Sequence, residues 1–289
     1  MTALLLPRID QTHDAANASG ALQPIRTERE VMQDGGIDFT VRWVSSLERK
    51  DSDRLSAALR RDPDFDPFLP PDPALTVGPL GDGHLAVLNK FPVIARHLLI
   101  VTRDFVSQTL PLDIADFTAL AKVMSELGGL GFYNGGTEAG ASQRHKHLQW
   151  IPEAARGAKL SMFTARLPND LPLGSTTVRD DLPWRHCFVR IPTDVGCDAA
   201  EFGAALHAAF IRACGALDLA CDRDPMPPYN LLTGGGWLVV IPRSREHCEK
   251  ISVNALGFAG GLFVPRPELI DTVRAIGPLK LLTSVGFAR

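Results

Sequence analysis

The sequence predicts an α+β fold of antiparallel sheets with flanking helices, built as two related halves. Three observations lead there. His84–Leu88 and His97–Thr102 are apolar runs rich in Leu and β-branched residues, joined through Asn89, Lys90, Phe91 and Pro92. Runs of that kind with a short link read as two antiparallel strands. Asp113 opens a stretch that puts Ile114, Phe117, Leu120, Met124 and Leu127 on one helical face, and Gly128-Gly129 stops it. The two tyrosines of the chain both stand in Tyr-Asn pairs, at 133-134 and 229-230. Each pair follows a strand and a helix and precedes glycines and a strand ending in Ile-Pro (Ile151-Pro152 and Ile241-Pro242). The recurrence points to an internal duplication, with chance as the competing explanation for matches this short.

The first 30 residues are polar and irregular and read as an arm on the surface. Phe39 to Val44 alternates apolar and polar residues, a strand pattern. Ser52 to Arg61 fits one short helix capped by Ser52 or Asp53. Six prolines between Asp62 and Pro79 exclude a helix or a central strand and suggest an ordered loop around a core. Gly131 to Gly140 reads as a glycine-rich loop and His145 to Ile151 as a strand. The second half repeats the scheme: a strand at His186–Ile191, then an Asp198-capped helix with Phe202, Leu206, Phe210 and Ala213 on one face. A Pro-rich turn then leads to Tyr229-Asn230, a strand at Trp237–Ile241, and a last helix from Pro267-Glu268. A polar stretch near residue 180 divides the chain into 1–180 and 181–289.

With 289 residues and 45% hydrophobic content, the chain can bury one large core or two smaller ones. A formal net charge of −3 argues against a generally basic binder of nucleic acid. Apolar stretches such as Leu98–Val101 and Trp237–Ile241 fall far short of the roughly 20 residues that cross a bilayer, so no membrane partner is expected. Met1–Leu6 lacks a preceding basic region and runs at once into Pro7, Arg8 and Asp10, so it does not read as a signal peptide. The five cysteines form no C-x-x-C pair and read as reduced thiols of a cytoplasmic protein.

The richest segment is Gly140-Ala-Ser-Gln-Arg-His-Lys-His-Leu-Gln-Trp150. On a strand, His145, His147 and Gln149 project to one face, and Lys146, Leu148 and Trp150 to the other. Two imidazoles and an amide on one face are costly to bury unpaired. They fit satisfied structural histidines, or a metal site that lacks further ligands at close spacing, or, best, a nucleophilic imidazole that attacks phosphorus. The neighbouring Gly135, Gly136, Gly140, Ala141 and Ser142 form a small-residue loop whose N–H groups suit an anion. Arg144 and Lys146 add positive charge, and Gln149 offers a donor without an acidic proton.

H-x-H-x-Q after an N-G-G…G-A-S loop resembles the histidine-triad superfamily, in its nucleotidyltransferase branch. More specifically, the chain resembles the ATP adenylyltransferases, or diadenosine tetraphosphate phosphorylases, from about Phe39 to Phe263. Leu88-Asn-Lys-Phe-Pro92, His97 to Arg103, Tyr229 to Leu232, Trp237 to Glu246 and Val253 to Gly260 extend the likeness. The resemblance implies a histidine-triad-like fold. It makes His147 the nucleophile that takes the adenylyl group, with His145 orienting it and Gln149 holding the α-phosphate. Asn134, Gly136, Ser142 and Gln143 would contact nucleotide or phosphates, and Asn89 and Lys90 would edge the pocket. Lys50 would reach the polyphosphate, unless it is only a solvated surface lysine; His97 occupies a mostly structural position. The implied reaction is reversible phosphorolysis of diadenosine tetraphosphate by phosphate to ATP and ADP. No cofactor is bound covalently and no protein metal site is implied; Mg2+ or another divalent cation accompanies the polyphosphate. A hexose-1-phosphate uridylyltransferase, a nucleoside-diphosphate-sugar phosphorylase and a non-catalytic nucleotide-binding protein are the alternatives.

Overall fold

The computed structural model describes residues 4–44, 65–153, 157–168, 170–193 and 196–289. Near the N-terminus lie helix α1 (Leu5–Ser19) and strands β1 (Thr27–Asp34) and β2 (Ile37–Val44). The first half continues with β3 (Thr76–Pro79), β4 (His84–Leu88), β5 (Leu98–Thr102), α2 (Ile114–Leu127), β6 (Leu130–Gly135) and β7 (His147–Ile151). After a short helix α3 (Ser161–Thr164) come β8 (Thr176–Thr177), β9 (Cys187–Arg190), α4 (Ala199–Ala216), β10 (Tyr229–Gly234) and β11 (Trp237–Pro242). The chain closes with β12 (His247–Cys248), β13 (Ile251–Ser252), β14 (Gly261–Val264), α5 (Leu269–Ile276) and α6 (Pro278–Val285).

Nine strands form one sheet in the order β3-β4-β5-β7-β6-β10-β11-β9-β8, and β1-β2-β14 form a smaller one. The inner six strands are palindromic. β5, α2, β6 and β7 follow one another in the first half as β9, α4, β10 and β11 do in the second, and the halves meet where β6 pairs antiparallel with β10. There Asn134 stands directly opposite Asn230. Helices α2 and α4 pack side by side: the Phe117 and Phe210 rings are 5.6 Å apart, and a Cβ on Gly203 would meet the Thr118 Cα at 2.7 Å. Only glycine allows the backbones that close.

Sheet alternation sorts the side chains. Leu148 and Trp150 join Tyr133, Leu231, Leu238 and Val240 in the core beneath the two helices. Phe132, Ile151, Leu232 and Trp237 enter a second core on the opposite face. On that opposite face His147 and Gln149 of β7 stand where the second half has Trp237 and Val239. Asp113 caps α2 through the N–H groups of Ala115 and Asp116, and the Asp116 carboxylate accepts from the Asp113 N–H in return, a box worth about 1 kcal/mol. Asp116 also accepts from His84 at 2.9 Å and from Lys146 at 3.0 Å, all three side chains being buried. Burial alone would raise its pKa; the bond from His84 and the Lys146 ammonium reverse this and hold it below its ordinary value.

Several expectations need correction. The first residues are not an irregular arm, because Leu5, Ile9 and Ala16 recur at helical spacing and are buried, and the first N–H groups of α1 donate to Glu126 of α2. Residues 27–34 form β1 despite a mostly polar sequence, being the outer strand of the small sheet. The glycine-rich stretch begins as β6, buried throughout, before a 3-10 turn at Thr137–Ala139. Tyr229-Asn230 starts β10. Ile114 is 47% exposed, since the buried face of α2 starts one turn later at Phe117. The last helix is two, parted at Gly277 with Pro278 opening the second. The described part of the Pro-rich segment holds β3, an edge strand, in keeping with the exclusion of a helix and a central strand there. The helix expected at Ser52–Arg61 lies outside the described residues.

Candidate active site

A cleft of about 960 Å³ opens between the sheet face that carries His147 and Gln149, the Pro-rich loop, and the wall from Asn254 to Phe263. His147 starts β7, where two contacts fix it. Its backbone N–H donates to the Gln108 side chain at 2.8 Å, and its Nδ1 faces the carbonyl oxygen of His145 at 2.8 Å. A carbonyl only accepts, so Nδ1 carries the proton and Nε2 keeps its lone pair. Among the described residues no group bonds to Nε2. Phe68 of the Pro-rich loop covers the ring at 5.5 Å between centroids. Burial lowers the pKa of His147 to about 4, and the neighbouring His145 adds to this against the opposing His145 carbonyl and Asp66 carboxylate. The imidazole is therefore neutral near pH 7, as a nucleophile requires.

Gln149 is oriented by a relay. The Phe91 N–H donates to Asn89 Oδ1 at 3.0 Å, which leaves Asn89 Nδ2 to donate to His97 Nδ1 at 3.1 Å. His97 must then carry its proton on Nε2, which donates to Gln149 Oε1 at 2.9 Å. Burial also holds His97 down to about 4, so it stays neutral. The relay leaves the Gln149 NH2 on the cleft side, a donor beside the nucleophile.

His145 does not share the cleft wall with His147 and Gln149. β7 begins only at His147; His145 lies before it in an isolated bridge with Ser107 and is 1% exposed. Its Nδ1 meets the Asp66 carboxylate at 2.8 Å and its Nε2 the Thr102 carbonyl at 2.8 Å. What it offers His147 is a backbone oxygen. Lys146 points away, to Asp116 and the Pro111 carbonyl.

A family model described as Ap4A phosphorylase N-terminal domain matches residues 1–165. The chain belongs to the Ap4A phosphorylase family. A second model, ATP adenylyltransferase C-terminal domain, matches residues 180–288. Diadenosine 5',5'''-P1,P4-tetraphosphate phosphorylase 2 of Saccharomyces cerevisiae is 27% identical across 93% of this chain and 90% of its own length. The crystal structure of yeast Ap4A phosphorylase Apa2 matches with a TM-score of 0.80 at 24% identity, covering 98% of this chain and 97% of that one. Apa2 in complex with AMP matches at 0.79 with 25% identity.

In this Ap4A phosphorylase family member, His147, Gln149, Asn89 and Asn134 border the cleft, as do Ser142, Gln143 and the exposed Lys90. Gly136 does not: it starts the 3-10 turn at φ 97°, a conformation suited to glycine, close to Pro228. Lys50 lies outside the described residues. Among those residues no group of three His, Cys, Asp or Glu side chains is placed to hold a metal. Sequence reasoning missed Asp66, which pairs with His145, and Gln108, whose amide joins His147 to the Asn134 carbonyl. Neither belongs to a motif; Gln108 sits in the strap before α2, visible only once the Tyr133 hydroxyl is seen bonded to its carbonyl.

Proposed function

We propose that this chain catalyses the reversible phosphorolysis of diadenosine tetraphosphate to ATP and ADP through an adenylyl group carried on His147. The observation that carries the reading is the neutral His147 with Nε2 unprotonated, beside an amide locked as a donor, in a member of this family. Nε2 attacks the α-phosphorus; the N–P bond forms as the bond to the bridging oxygen breaks, and ATP leaves. The charge gained by the imidazole is met by the His145 carbonyl at Nδ1 and, through His145, by Asp66. The Gln149 NH2 donates to a nonbridging oxygen as charge grows there. An oxygen of inorganic phosphate then attacks the same phosphorus, the N–P bond breaks, and ADP is released. Positioning and charge do the catalysis.

His145 is proposed to orient the nucleophile through its backbone. Asn134, Ser142, Gln143, Asn89 and Lys90 are proposed to hold nucleotide and phosphates, and Gly136 to shape the turn behind them. Lys50 is proposed to reach the polyphosphate. The catalytic half is assigned to 1–180 and its companion to 181–289. A divalent cation, Mg2+ by preference, enters on the polyphosphate and is held by phosphate oxygens and water. All five cysteines are free, which accords with a cytoplasmic setting. No described helix is long and apolar enough to cross a membrane.

The test is direct. Purified protein mixed with diadenosine tetraphosphate and phosphate should give ATP and ADP in equal amounts, and without phosphate its mass should rise by one adenylyl group. Turnover of sugar nucleotides alone would overturn the reading. The pH dependence follows from His147. With its pKa lowered to about 4, the lone pair is present across the neutral and mildly acid range. Adenylyl transfer should hold level as pH falls through 6.5 and decline only toward 4, in quenched single-turnover assays. A midpoint near 6.5 would contradict the lowering of the His147 pKa by burial.

A further inference from the structure

Asn134 presents a second amide to the cleft, and its orientation is set from the other half of the chain. Arg243 is buried, and its guanidinium, which can only donate, meets Asn230 Oδ1. Its other N–H groups are spread over the carbonyls of Val285, Val253, Arg245 and Ala139 at 2.9–3.3 Å. With its oxygen taken by Arg243, Asn230 turns Nδ2 toward Asn134 Oδ1 at 2.9 Å and the Ala139 carbonyl at 2.8 Å. The Ala255 N–H donates to the same Asn134 oxygen at 2.9 Å. Two donors therefore converge on Asn134 Oδ1. The opposite flip would set its NH2 against two other N–H groups. The Asn134 NH2 is left facing the cleft, where no described residue takes it.

We propose that Asn230 and Arg243, neither of which borders the cleft, are positioning residues that lock the Asn134 amide as a phosphate donor. The proposal rests on the adenylyl-transfer reading. It gives the second half a specific part in the first half's chemistry. Asn134 and Gln149 then act as a pair of neutral donors on neighbouring strands, each fixed by its own relay, so from these two an anion meets N–H groups and not the amide oxygens. Asn230 is the counterpart of Asn134 across the β6–β10 pair, with its own amide turned from ligand to support.

Two substitutions at one position separate polarity from packing. Asn230→Asp is nearly isosteric, and Arg243 supplies its counter-charge, but it offers oxygen where Asn134 needs a donor and so favours the flipped amide. Asn230→Ala leaves a small gap, yet the Ala255 N–H still holds Asn134 Oδ1. A polarity role predicts that Asn230→Asp slows single-turnover adenylyl transfer about 30-fold at saturating substrate. Asn134→Ala should slow it about 100-fold, the scale for loss of one such donor. Asn230→Ala should cost about threefold. A packing role predicts the reverse order, with Ala worse than Asp in both rate and melting temperature. In the double variant N134A/N230D the losses should not multiply, because both act on one amide. Should N230D fail to fold, the cycle of N230A with N134A decides, since the threefold loss must vanish in the N134A background. Wild-type-like rates for N230D, or multiplying losses, would overturn the proposal. If the wild-type chain forms no adenylyl adduct, it is the reaction that fails. AMP affinity across the same variants then reads the amide directly, with N230D weaker than N230A expected and the reverse order refuting the lock.

Discussion

His147→Ala is expected to lower turnover by about 10^5-fold and to abolish the adenylyl adduct, while the melting temperature changes little. The size follows from the absence of a substitute. The imidazoles closest to that position are already committed: His145 holds Asp66 and Thr102, and His97 holds Asn89 and Gln149. Loss of a covalent nucleophile in a site that otherwise binds normally costs on this scale. The fold should persist because the ring makes one hydrogen bond, to the backbone carbonyl of His145, and packs against the ring of Phe68. Steady-state assay, intact mass and thermal unfolding check the three parts separately. Activity within tenfold of wild type would remove His147 from the nucleophile's place.

Gln149→Glu should be the next most damaging change, near 10^3-fold in adenylyl transfer. The glutamate keeps size and shape, and one oxygen still accepts from His97. The other replaces the NH2 and sets a carboxylate against the reacting phosphate, so a donor is lost and a like charge gained. Gln149→Ala should lose about 10^2-fold, the donor alone. If the two variants were equally impaired, Gln149 would not be pointing its NH2 at the phosphate. Equilibrium AMP binding should fall in the same order.

The strand–helix–strand–strand scheme was legible because its signals are local: the Asp113 and Asp198 caps, the apolar faces behind them, and the Leu- and Val-rich runs. Where burial is set by distant partners, local pattern misled. Helix α1 shows only Leu5, Ile9 and Ala16 to the core, too narrow a stripe to stand out among polar residues. β6 and β10 look like glycine- and proline-marked turns, yet they are the sheet centre, covered on both faces. In the site, His147 and Gln149 announced themselves through H-x-H-x-Q. The residues that fix their protons did not, because a hydrogen bond between positions 97 and 149, or 134 and 230, leaves no spacing to read. His145 lies just before the strand proper, and its packing against Phe68 beside His147 and its bonds to Asp66 and Thr102 come from residues far away in the chain.

The antiparallel pairing of β6 with β10 also bears on how the chain tolerates being cut. The polar stretch near residue 180 looks like a place where one piece ends and another begins. Yet a fragment ending there would bare one whole edge of β6, a row of unpaired N–H and C=O groups flanked by apolar side chains, and such an edge invites aggregation. It would also strip one flank from α2 and uncover Asn134. The two halves are thus separable on paper and inseparable in water: each is the other's missing neighbour.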